Sequence, residues 1–111
     1  MITDVIPEAE FRRKIALWFL KYDRGAVPPE GAGVDEYCES FALPETDLIH
    51  TQSFADSENN LITLLKGSYS LRDWETRSGK KGERITFYKV MKTFGDTPDV
   101  EPIPVGYIIA D

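Results

Sequence analysis

From Pro7 to Gly25 the chain reads PEAEFRRKIALWFLKYDRG. At about 100° per residue, Phe11, Ile15, Trp18, Phe19 and Tyr22 fall on one helical face, which Ala16 and Leu20 widen. Glu10, Arg13, Lys14 and Lys21 fall opposite. Pro7 suits the first helical turn, where its missing N–H costs nothing, and Gly25 suits a left-handed residue closing the helix. A helix is therefore expected over about residues 7–24. So wide an aromatic stripe needs a broad apolar cover, and the expected cover is a sheet.

The rest of the chain is expected to supply it. Two prolines and three glycines within residues 25–33 make a loop. VDEYCESFAL then predicts a short second helix, with Asp35 as its cap, Tyr37 and Phe41 four apart, and Pro44 as its stop. TDLIHTQSF reads as extended chain. SENNLITLLKG reads both ways: Ser57 can cap a helix that Gly67 ends, yet Leu61, Thr63 and Leu65 alternate as in a strand. The helix is the expectation there.

From Ser68 the period becomes two. SYSLRDWETR and ERITFYKVMKTF flank a Gly-Lys-Lys-Gly turn, which predicts a hairpin with Arg77 facing Glu83, Leu71 facing Lys89 and Trp74 facing Thr86. IPVGYIIA is apolar on both faces, so this last strand is expected inside the sheet rather than at its edge. The fold class is α+β in one domain over residues 1–111: an N-terminal helix and a short second helix packed on an antiparallel meander of three to four strands. Cystatin-like and NTF2-like domains have a similar layout, a likeness of architecture that carries no activity with it.

Composition restricts the function classes. The chain has 111 residues, 41% of them hydrophobic and 12% aromatic, enough for one core and unlike a disordered segment. Cys38 is the single cysteine, which excludes an intramolecular disulfide framework and fits a cytoplasmic protein. The longest apolar run, Ile15 to Leu20, is far short of the roughly twenty residues of a membrane span. No membrane partner is expected.

The net charge of −6 is unevenly spread. Residues 1–65 hold five basic and twelve acidic groups, residues 66–92 hold eight basic and three acidic, and residues 93–111 hold four acids and no Lys or Arg. The basic segment contains Lys66, Arg72, Arg77, Lys80, Lys81, Arg84, Lys89 and Lys92, with Tyr69, Trp74, Phe87 and Tyr88 among them. An overall acidic balance argues against a broad nucleic-acid surface, although a local patch can still contact phosphates.

No reaction centre is legible. His50 is the single histidine, with Asp47 and Ser53 each three residues away, and it lacks the Gly-x-Ser-x-Gly setting of one hydrolase class. One histidine and one cysteine do not make a zinc site, and Asp96, Asp99 and Glu101 lack the pattern of a calcium loop. No dinucleotide or phosphate loop occurs. Asp35, Glu36 and Glu39 around Cys38 disfavour its thiolate. No cofactor and no catalytic residue are expected.

The expected function is a small, acidic, non-catalytic protein-binding module of the inhibitor, immunity or phage-protein kind. Its candidate contact residues are Arg72, Trp74, Arg77, Lys80, Lys81, Arg84 and Tyr88 on the basic hairpin and Asp35, Glu36 and Glu39 on the acidic helix. Whether Trp74 and Tyr88 belong to core or interface is open at this level. The alternatives are nucleic-acid binding through the hairpin of residues 66–92, with Trp74 or Tyr88 stacking on a base, and a small pocket protein or enzyme.

Overall fold

A computed structural model of the chain describes residues 4–28, 30–79 and 82–110. Helix α1 runs Glu8–Tyr22 and α2 runs Val34–Ser40, followed by strands β1 (Ile49–Ala55), β2 (Leu61–Leu71), β3 (Glu83–Thr93) and β4 (Ile103–Ile109). The strands form one antiparallel sheet in the order β1-β2-β3-β4. This is the expected α+β layout of two helices followed by a meander.

The α1 stripe does what its spacing predicts. Phe11, Ile15 and Ala16 are buried, and Trp18 and Phe19 pack at the margin of the same cluster. Beneath them lie Tyr69 of β2, Ile85 and Phe87 of β3 and Tyr107 of β4, all from one face of the sheet. Phe11 stacks on Tyr107 with ring centroids 3.9 Å apart and meets Phe87 at 4.9 Å. Gly67 sits opposite Phe87, where a Cβ would lie 2.7 Å from that ring and 2.8 Å from Leu48. A side chain there would displace either the ring or the loop that covers it.

Several local expectations are corrected. Residues 61–66 belong to β2 rather than to a helix, because they pair with β1 on one side and β3 on the other. Ser57 lies in the β1–β2 turn instead of capping a helix. Asp56 holds that turn by accepting the N–H groups of Glu58 and Asn60, each at 2.9 Å, and Asn59 takes a left-handed φ of 63° that asparagine tolerates. The β-branched and alternating pattern won because both neighbours satisfy its backbone.

The hairpin register also differs. Leu71 faces Glu83, Tyr69 faces Ile85 and Leu65 faces Lys89, so β2 ends at Leu71 and the pairing of Arg77 with Glu83 does not form. Residues 72–79 leave the sheet through a short 3-10 turn at Asp73–Glu75 and pack against the end of α1. Arg77 explains this departure: its backbone N–H donates to Tyr22 O, and its guanidinium donates to Leu20 O and Ala26 O. The Leu20 and Tyr22 carbonyls have no helical partner at the C-terminus of α1, and Arg77 supplies one to each, while Ala26 O belongs to the loop beyond.

At the same terminus, Asp23 bridges to Thr76 and its carboxylate accepts Gly25 N–H, so the helix closes without a left-handed Gly25. Gly33, not Asp35, stands at the N-terminus of α2. Strand β4 lies at the sheet edge, where Ile6 pairs with Tyr107 through two hydrogen bonds of 2.8 and 2.9 Å. Its second apolar face, read as a sign of an interior position, belongs to a sheet surface that no described helix covers.

Candidate binding surface

Alternation along the strands divides the sheet into two sets of side chains. Tyr69, Phe87 and Tyr107 point towards α1. Their neighbours Ser68, Tyr88 and Ile108 therefore point to the other face. Both helices lie on the Phe87 side, since Phe41 at the end of α2 packs on Phe19 of α1, 5.5 Å between centroids, and Phe19 packs on Tyr69. Among the described residues, no helix lies on the other side.

The open face can be read row by row from the register. Ile49, Lys66, Tyr88 and Ile108 form one row across the four strands. Gln52, Leu64, Val90 and Gly106 form the next, followed by Phe54, Ile62, Lys92 and Ile103. Towards the other end lie Ser68 with Thr86, then Ser70 with Arg84. Leu64 and Val90 are buried at the centre, 8% and 2% exposed, whereas Ile49 and Ile103 are 65% and 43% exposed at the two edges. Tyr88, Phe54, Ile62 and Ile108 are half-buried. The face thus has a buried central pair, exposed aliphatics on both edge strands, and cations on the two central strands.

The candidate residues named from sequence are not brought together. Arg84 and Tyr88 lie on the open face. Arg72 and Trp74 stand at the end of the molecule in the turn after β2, where Arg72 N–H donates to Glu75 Oε2 at 2.7 Å and Trp74 is 66% exposed. Arg77 is occupied in closing α1. Lys80 and Lys81 lie outside the described residues. Asp35 pairs with Arg13 at 2.7 Å, which raises the guanidinium's pKa through that hydrogen bond and the carboxylate's charge. Glu36 and Glu39 are exposed on α2, in the helical layer.

Ile62, Phe54 and Ile108, and the buried Leu64 and Val90 between them, are members of this face that the sequence reading does not identify. A helical reading of residues 57–66 removes Ile62 and Leu64 from any strand face. The available signal was the alternation of Leu61, Thr63 and Leu65, whose complement is Ile62, Leu64 and Lys66.

Other chemistry-bearing groups have local partners. His50 Nε2 and Ser53 Oγ lie 2.8 Å apart, and Ser53 Oγ lies 3.3 Å from Thr63 Oγ1, all on exposed strand surface. No carboxylate hydrogen-bonds to the His50 ring among the described residues. Tyr69 donates to Pro44 O at 2.9 Å, and burial raises its pKa, as it does for Tyr107. A shallow cavity of about 230 Å³ lies at the end of the core against Phe11, Leu43, Leu48, Tyr69, Lys89 and Tyr107. Among the described residues, no group of three or more His, Cys, Asp or Glu is placed to hold a metal ion, and no helix is long and apolar enough to cross a membrane.

Comparison with protein-family models, with curated proteins and with solved structures finds no match.

Proposed function

We propose that this chain is a non-catalytic binding module that engages a protein partner through the open face of its sheet. The carrying observation is the row Lys66–Tyr88–Ile108 with Leu64 and Val90 beside it: an apolar strip on a sheet whose opposite face already holds the helices and the aromatic core. The members of this face that keep water, Ile49, Phe54, Ile62, Tyr88, Ile103 and Ile108, gain by excluding it against a partner. Inhibitors and adaptors act through such surfaces without a reaction centre.

The test is capture from a cell lysate after nuclease treatment, comparing the wild-type protein with Ile108→Asp, which puts a charge into the strip. Retention of a protein by the wild type and its loss from a cooperatively folding Ile108→Asp variant is the expected result. Equal retention by both proteins would sink the assignment to this face.

One observation favours nucleic acid as a second reading. Lys66 lies directly across from Tyr88, with Arg84 further along the same face, so a ring and two cations are available to one strand of bases and phosphates. Loss of all retained species on nuclease treatment would support that reading.

A further inference from the structure

We infer that the partner meets the open face with an acidic surface; this rests on the protein-binding reading above and adds the partner's chemistry. Glu83 is the sole acid within the four strands, and it faces Leu71 on the helix side. Of the four strand cations, Lys66, Arg84 and Lys92 alternate to the open face and Lys89 to the helix side. A chain of net charge −6 thus presents a sheet face on which no strand residue is acidic. Three of its nineteen acids, Asp35, Glu36 and Glu39, sit on α2 in the helical layer, and Asp56, in the turn after β1, reaches Lys92.

Two of these cations are also available, and the third is paired. Lys66 and Arg84 have no ion pair or side-chain hydrogen bond among the described residues. Lys92 lies 3.8 Å from Asp56 and 5.3 Å from the centre of the Phe94 ring. Beside these groups lie the half-buried Tyr88, Ile62 and Ile108, so carboxylates that reach the cations do so next to apolar surface that loses water on contact. Charge pairs in that setting fix orientation and speed encounter more than they do on an open surface.

Two other occupants fit less well. A second copy docked through the same face by a two-fold axis would set a face whose strand charges are all positive against an identical one. A nucleic-acid strand needs exposed rings for its bases, and this strip is mainly aliphatic, with Tyr88 and Phe54 half-buried.

The experiment uses a labelled synthetic peptide alternating Glu with Leu, Ile and Trp, a labelled oligo(dT) of similar length, and the full chain. Binding is read by fluorescence anisotropy against salt, and its location by amide chemical-shift mapping. The peptide is expected to shift amides of residues 62–66 and 84–92, and to weaken about tenfold in the variant Lys66→Glu with Arg84→Glu. Lys66→Arg with Arg84→Lys is expected to retain it. If the charge reversal impairs folding, Lys66→Gln with Arg84→Gln provides the same comparison.

A peptide that does not bind, or binds the charge-altered variant equally well, overturns the inference. Tighter binding of oligo(dT) on the same amides also overturns it, in favour of nucleic acid. Failure of the underlying reading is distinguishable: a captured protein lost with Ile108→Asp but kept by the charge-reversed variant preserves protein binding and removes the acidic partner. A captured protein kept by both variants removes the face itself.

Discussion

The two faces of the sheet are made by the same strands from alternate residues, yet they have become different materials. The helix side stacks Phe11, Tyr69, Phe87 and Tyr107 into one aromatic cluster under α1. The open side places Tyr88 and Ile108 one residue away from Phe87 and Tyr107, with Lys66 across from Tyr88 and Arg84 further along the same face. An amphipathic helix can cover only one face, so a meander with its helices in a single layer leaves its second face to be managed by side-chain choice. Here that choice is a buried central pair, aliphatics at the two edges and cations on the central strands, which limits the exposed apolar area.

The comparison breaks most readily at its strongest point. Phe87→Ala is expected to cost about 3–5 kcal/mol, because it removes a ring packed against Phe11, Tyr69 and Tyr107 and leaves a cavity. Urea unfolding of the variant would measure this. A loss below about 1 kcal/mol would mean that the aromatic cluster is not the main stabilising core.

Val90→Ala sharpens the contrast, since Val90 is 2% exposed on the face without helices. Removing two methylene-sized groups predicts about 1.5 kcal/mol. The same urea titration reads the result, and a cost equal to that of Phe87→Ala would make the open face a second core rather than a docking surface.

The smallest expected effect is a pH dependence at the edge of the open face. The N–H of Asn60 chiefly, then that of Glu58 and the charge of Lys92, hold the Asp56 carboxyl below its usual range. A depressed folded-state pKa stabilises the fold above the unfolded value, about 3.9, and that contribution disappears as pH falls through the lower folded value. Asp56→Asn is therefore expected to flatten the acid side of the stability profile while leaving its neutral shape unchanged. Urea midpoints measured from about pH 5 down to about pH 2 test this, and an unaltered acid limb would remove Asp56 from the turn's energetics.

How much was legible depends on how local the physics was. The α1 face could be read because its seven apolar positions repeat along one helix. The meander could be read from alternation and turn residues. The register of β2 on β3 could not, because glycines at 79 and 82 mark a reversal without saying where pairing stops. Arg77 stops it, through carbonyls of Leu20 and Ala26 more than fifty residues earlier in the chain. The candidate site suffered in the same way. Arg77 was grouped with Arg84 by proximity in sequence, and the fold assigns one to a helix terminus and the other to the open face.

The sequence by itself determined one amphipathic helix, a short acidic second helix, an antiparallel C-terminal meander and a basic middle segment, since each depends on periodicity or composition within a few tens of residues. Tertiary structure alone decided which strand set faced the helices, where β2 ended, and that Lys66, Arg84 and Lys92 shared a face carrying no strand acid. The physical reason is that side-chain alternation fixes only which residues lie together on a face. Which face is covered depends on where a distant helix finds its largest apolar contact, and the charge of the uncovered face follows from that choice.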